Sequence, residues 1–370
     1  MIYSIILLLT TSVIASLFQN KCLYVDNRDL LLCGWQPSLK SARFDFFILL
    51  VLLSLYAGLR TRFNDTSSYI EDYIYNVNTG FLALKDVKFG EGVGFRIYKI
   101  IIKSLFGNNM FRYLTITSAI TCWSVLAFLK KYSKDFALGA FLFVASTYYD
   151  FTMAAMRQNL AMAIGIWAIP LFLKKKTTKG ILIILIAMSF HRMIILYAVA
   201  VALGTKVFGK TSLLLIVCAG VGAFAFDSVF ETIAENTGYS VVEFAEGQGV
   251  NLLRAVVWAI PLLLALLHRN ELDEKCDDYG KVFINLSFVG SFIMFLATLG
   301  GANLIGRTAY YFYPFYILSL CEIINESGNS LQQRNLRTLC FIGFTFFYII
   351  TSSSPLFVDP LKHTSILSLF

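Results

Sequence analysis

Apolar runs recur along this chain from its first residues to its last fifth, and that recurrence fixes the class of fold open to it. The runs fall at 1–18, 44–59, 111–129, 135–152, 155–173, 180–190, 192–204, 212–226, 252–268, 281–299, 307–324 and 337–353. A straight helix needs roughly 20 apolar residues to cross hydrocarbon, and backbone in lipid must satisfy its own hydrogen bonds. Of 370 residues, 57% are hydrophobic and only 15% are charged, whereas a soluble domain carries about 25% charge. The expectation is an all-α polytopic integral membrane protein of about 11–12 transmembrane or re-entrant helices, forming one domain over 1–370. Segments 180–190 and 192–204 are each about two-thirds of a span, which fits a re-entrant hairpin lining a watery cavity. The opening "MIYSIILLLTTSVIASLF" lacks a basic n-region and a clear cleavage site, so it is expected to persist as the first helix.

Lysine and arginine set the orientation. One set of loops holds Lys21, Arg28, Lys40 and Arg43; then Lys130, Lys131 and Lys134; then "KKKTTK" at 174–179. The same set continues with Lys206 and Lys210; Arg269, Lys275 and Lys281; and Arg334 and Arg337. Placing these loops in the cytoplasm puts both termini outside. It also leaves a long outer segment, 60–110, and a second outer loop, 227–251. The net charge of +8 is thereby a topology signal. No basic stretch has the aromatic interleaving of a nucleic-acid site, so no nucleic-acid partner is expected. Cys22, Cys33 and Cys276 fall in cytoplasmic loops and Cys122, Cys218, Cys321 and Cys340 within spans, so no disulfide is implied.

With the cytoplasmic charges set aside, Arg60, Arg157, His191 with Arg192, Arg254 and Arg307 remain, all at outer ends of spans. Any one of them could snorkel to headgroups. Five such places on one side of the membrane point instead to an anion. Guanidinium is planar, permanently charged and matched to phosphate, and the helix opened by Arg157 and Gln158 adds its dipole and first-turn N–H groups. A lipid-linked phosphate or pyrophosphate is the expected ligand.

The outer segment reads "RFNDTSSYIEDYIYNV", with Asp65 and Tyr69 four apart. Aromatic rings beside carboxylates suit sugars, although an interfacial tyrosine belt has the same composition. In "FGEGVGFRIYKIIIKSLF" the glycines predict a loop around Glu91. The helix after it has Arg96, Lys99 and Lys103 on one face, with isoleucines largely opposite, and is expected to lie on the outer leaflet. Loop 227–251 is acidic, through Asp227, Glu231, Glu235, Glu243 and Glu246, and could cap a cavity or simply be solvated. There is no Walker loop, dinucleotide fingerprint or paired-cysteine metal site, and His191, His268 and His363 lack ligand spacing. No metal or cofactor is expected, so a reaction here would use a donor already activated and carried on lipid.

Four stretches, "GLRTRFNDTSSY", "MRQNLAMAIGIWAI", "LIAMSFHRMIILY" and "GRTAYYFYPFY", give the chain a family resemblance over roughly residues 50–320. It resembles the EpsG/Wzy-type polysaccharide polymerases of bacteria. The Arg-Gln helix start, followed about 33 positions later by Phe-His, is the most specific part. Where the family pattern often has a glycine before the aspartate and an aromatic after it, this chain has Asn64 and Thr66. The resemblance implies a membrane glycosyltransferase of GT-C-like architecture in the bacterial cytoplasmic membrane. It implies transfer of a growing glycan from its undecaprenyl pyrophosphate onto the non-reducing end of a new lipid-linked unit at the outer face. The product would be O-antigen, capsule or exopolysaccharide, with a flippase and a chain-length regulator as possible partners. The expected catalytic residues are His191, Arg157, Asp65 and Glu91, and the expected substrate-binding residues are Arg60, Arg192, Arg254, Arg307, Gln158 and Tyr69. The rival readings are a flippase for the same lipid-linked unit and another membrane sugar- or acyl-transferase. A flippase calls for charges at mid-span and internal repeats; an acyl donor calls for chemistry reachable from the cytoplasm.

Overall fold

In a computed structural model, residues 2–26, 39–88, 90–201, 206–210, 214, 251–299 and 303–352 are described. The predicted span 212–226 (214 excepted), the acidic residues of loop 227–251 and the C-terminal tail lie outside them. Among the described residues the regular secondary structure is all helical, with no strand. The protein is an all-α polytopic membrane protein.

The first helices are α1 (Ile2–Asp26) and α2 (Leu39–Gly58), followed by segment 60–110. That segment holds α3 (Thr66–Glu71), a π-helical turn (Asp72–Asn76), a 3-10 turn (Phe81–Asp86) and α4 (Val93–Phe106). Next come α5 (Met110–Tyr132), α6 (Phe136–Ala145), α7 (Tyr148–Ala154), α8 (Met156–Gly165), α9 (Ala168–Leu173) and α10 (Thr177–Phe190). A 3-10 segment (Arg192–Val201) follows. Beyond it lie α11 (Leu252–Leu267), α12 (Arg269–Lys275), α13 (Asp278–Leu299), α14 (Asn303–Ala309), a 3-10 turn (Tyr310–Phe312), α15 (Tyr313–Glu326) and α16 (Ser330–Ser352).

Among the described residues, four stretches are long and apolar enough to cross a membrane unaided: Met110–Tyr132, Met156–Leu173, Asp278–Thr298 and Ser330–Ser352. Counting the bent pairs α6–α7 (51°) and α11–α12 (78°) as single spans raises this to six. The second pair joins the apolar α11 to the charged α12, "RNELDEK". The predicted spans 135–152 and 307–324 are not continuous. The first breaks at Ser146–Thr147, where Thr147 takes a left-handed φ of 69°. The second becomes α14, a 3-10 turn and α15, whose first turn carries Pro314; proline has no N–H to continue the preceding helix.

The chain forms two compact units: Met1–Ala168 with Thr178–Ile195 and Leu336–Phe370, and Ile169–Thr177 with Leu196–Asn335. In the first, α2 packs on both α1 and α5. Gly58 permits the second contact, since a Cβ there would meet the Thr115 backbone at 2.6 Å. One end of this unit is tied by Phe18 against Phe136 (4.8 Å between ring centres), Lys130 above Phe18 and Phe46, and an ion pair of 3.0 Å between Arg337 and Asp135. The opposite end carries the hydrogen bond between Ser4 and Tyr56 (3.0 Å).

Segment 60–110 packs on that unit. Tyr73 stacks on Tyr113 with ring centres 4.2 Å apart, within a core that includes Phe95, Leu114, Met156 and Leu160. The structure corrects the expected surface role of the α4 lysines, because both are buried. Lys99 pairs with Asp72, and Lys103 donates at 2.8 Å to each of the carbonyls of Tyr73, Ile74 and Val77. These bonds satisfy carbonyls that the short π-turn leaves open. The exposed apolar residues are instead Phe81, Leu82, Leu105 and Phe106.

The second unit is built on α13 against α11 and α15. Tyr316 and Tyr197 donate to the carbonyls of Val257 (2.9 Å) and Tyr311 (2.7 Å). Asn285 accepts from Phe208 N–H and donates to the Lys206 carbonyl, tying 206–208 to α13.

Candidate functional site

Three stretches of the first unit meet around the carboxylate of Glu91. The loop "GEGVG" presents it. Gly90 and Gly92 have φ of 155° and 74°, which L side chains resist, and a Cβ on Gly94 would meet Ser189 and Phe190 at under 3.0 Å. The loop is thereby pressed against the end of α10. Arg96 Nη2 donates to the Glu91 carbonyl at 3.1 Å and fixes its backbone. Glu91 Oε1 then lies 3.6 Å from Arg157 Nη2, and Oε2 lies 3.6 Å from Arg192 Nη1. Gly92 leaves room for this arrangement, since a Cβ there would stand 3.3 Å from Arg157 Nη1.

Arg157 sits in the first turn of α8, so the positive end of that helix dipole and its first-turn N–H groups lie at the same place. His191 occupies the break between α10 and the following 3-10 segment, its N–H bonded to the Ala187 carbonyl at 3.1 Å. Burial, and then the nearby Arg157, lower its pKa to about 4, against the opposing pull of Glu91. The imidazole is therefore neutral at pH 7, the form in which one ring nitrogen carries no proton. Two guanidiniums, a neutral imidazole and a helix N-terminus on one partly exposed spot can hold a multiply charged oxyanion and stabilise more charge as it develops.

Arg60 is placed differently. It is wholly enclosed, and its guanidinium donates to Thr66 Oγ1 (3.0 Å), the Ala57 carbonyl, the Met153 carbonyl (3.2 Å) and Met156 Sδ (3.0 Å). It therefore holds the end of α2 to the end of α7 and the start of α8, one residue before Arg157. Asp65 is exposed at the head of α3, and Tyr69 is half-buried with its ring edge-on to Phe95 (6.0 Å). Gln158 is buried.

In the second unit, Arg254 opens α11, whose first turn is capped by Asn251. Its guanidinium lies over the Tyr310 ring at 5.7 Å and donates to the Tyr310 hydroxyl. Tyr310 stacks on Tyr313 (5.3 Å), and Tyr313 packs against Trp258 (4.7 Å). Arg307 is exposed on the last turn of α14. Among the described residues, no three His, Cys, Asp or Glu side chains are grouped to hold a metal ion.

The sequence model of the EpsG family matches residues 44–357. The chain belongs to the EpsG family. Membership points to a polysaccharide polymerase. No curated protein and no solved structure matches the chain.

The EpsG-family match spans all four clustered residues, Glu91, Arg157, His191 and Arg192. The sequence alone did not single out Asn159, whose amide donates to the carbonyls of Phe151 and Ala155 at 2.9 Å and braces the turn between α7 and α8. An asparagine inside an apolar run was the signal available. The space-making roles of Gly92 and Gly94 had no such signal, because they depend on residues about 65 and 95 positions away.

Proposed function

We propose that this EpsG-family protein polymerises lipid-linked oligosaccharide repeat units at the outer face of the bacterial cytoplasmic membrane. The observation that carries the reading is the convergence of Arg157 and Arg192 on one carboxylate beside His191. The donor is a glycan on undecaprenyl pyrophosphate; the acceptor is the non-reducing-end hydroxyl of a new lipid-linked unit. The hydroxyl oxygen attacks the donor's anomeric carbon, and the bond from that carbon to the phosphate oxygen breaks. The pyrophosphate leaves with the bonding electrons. Arg157, Arg192 and the N-terminus of α8 hold its growing negative charge, which is the largest catalytic contribution open to such a site. Neutral His191 takes the acceptor's proton. A bound pyrophosphate beside it raises its basicity toward the working range, as a nearby negative charge favours imidazolium.

Arg60 is assigned to positioning, holding the start of α8. Asp65, Tyr69 and Gln158 are assigned to the glycan side of the site. Arg254 and Arg307 are assigned to substrate binding, Arg254 with the Tyr310 ring as a surface for a sugar face. The polymer made is O-antigen, capsule or exopolysaccharide, with both termini outside and a flippase and length regulator acting alongside.

The test is the surface glycan of a host lacking the gene, complemented with wild type or Arg157→Ala at equal membrane levels. Loss of the polymer ladder with single repeat units retained, restored only by wild type, is the expected result. Loss of the single units as well would point to export or unit assembly and overturn the reading.

A further inference from the structure

Resting on the reading that Arg157 and Arg192 receive a pyrophosphate, we propose that Glu91 is a built-in stand-in for that group. Its carboxylate sits between the two guanidiniums while the site is empty, and yields the place when the lipid pyrophosphate arrives.

The structure separates a fixed stalk from a loosely held head. The Glu91 backbone is clamped by Arg96 and by the positive φ of Gly90 and Gly92. The head is not clamped. Each carboxylate oxygen lies 3.6 Å from its guanidinium nitrogen, outside hydrogen-bond range and well beyond the roughly 2.7–2.9 Å of a direct charge-assisted bond. Both arginines and the glutamate remain open to water, with side chains 38%, 72% and 44% exposed for Arg157, Arg192 and Glu91. The carboxylate thus screens two cations that would otherwise repel each other, without closing a fork on either. A phosphate offers more acceptor oxygens and more charge, and can close both. After transfer, the same carboxylate competes for the arginines and hastens departure of the carrier pyrophosphate.

The consequence has an unusual sign: removing a charged residue from the site tightens anion binding. The experiment measures binding of inorganic pyrophosphate to the purified full-length protein by calorimetry and by thermal shift. Two exposed ion pairs are replaced, so Glu91→Gln is expected to bind pyrophosphate about three- to tenfold more tightly than wild type. Glu91→Asp, one methylene shorter, should fall between them. Arg157→Ala and Arg192→Ala should weaken binding. Glu91→Gln binding as weakly as wild type or more so, with Arg157→Ala still weakening it, overturns the stand-in and leaves the anion seat standing. Unchanged binding in both arginine variants overturns the seat itself and the stand-in with it. Should Glu91→Gln not accumulate, Glu91→Asp decides alone: tighter binding supports the proposal, and equal or weaker binding overturns it.

Discussion

Arg157 and Arg60 are the same residue type at the same side of the unit, yet their surroundings give them opposite work. Arg60 is sealed among carbonyls, a threonine and a methionine sulfur; Arg157 faces the Glu91 carboxylate, which water also reaches. Arg157→Lys keeps the charge and loses the planar fork, so polymerisation is expected to fall at least about tenfold at normal protein levels, read from the ladder. His191 gives a prediction in pH. Its pKa falls from 6.5 unfolded to about 4 folded, so the fold favours the neutral ring. That contribution is complete above pH 6.5 and is lost as pH falls from 6.5 toward 4. Thermal denaturation over that window should show wild type losing more stability than His191→Gln. In the free enzyme, kcat/KM should be flat from about pH 6 to 8, with an acid limb below.

Whole helices are placed by side chains whose direction no periodicity gives. The α4 pattern sets Arg96, Lys99 and Lys103 on one face, but in the structure Lys99 and Lys103 are buried together with Ile100 and Ile102, and only Arg96 of the three is exposed. Burying lysines is ordinarily unfavourable, and the outcome was set by Asp72 and three open carbonyls contributed by the π-turn, about 25–30 residues earlier. Lys103→Met should therefore destabilise the protein by about 1–3 kcal/mol. Arg60 makes the same point. Its place at a span end was legible in the sequence; its enclosure was not, because that depends on Met153 and Met156 coming alongside. Arg60→Met should cost roughly 2–4 kcal/mol in thermal unfolding and lower activity through a displaced α8. What was legible followed from position along the chain: Arg157 and His191 sit at ends of apolar runs that a membrane forces to the same side. The breaks at Thr147 and Tyr310–Phe312 were hidden, because an apolar run stays apolar whether or not its backbone bends.

For the molecule as a whole, the class of fold was readable because lipid leaves the backbone few solutions. Orientation gives its own prediction. Single cysteines introduced at Glu91 or Arg192 should react with a membrane-impermeant maleimide on intact spheroplasts. One at Lys131 should react only after permeabilisation. The pair between Asp135 and Arg337 adds a matter of timing. The carboxylate at the start of α6 pairs with a guanidinium on α16, 202 residues later in the chain. At roughly 5–20 residues per second of synthesis, Asp135 waits on the order of 10–40 seconds for that partner. Until then the early helices lack this closing tie, and that end is held by contacts such as those among Phe18, Phe46, Phe136 and Lys130 and the bond from Ala137 N–H to Gln19 Oε1. Nascent chains stalled before α16 are therefore expected to be degraded faster than the full-length chain, read by pulse-chase in the host membrane.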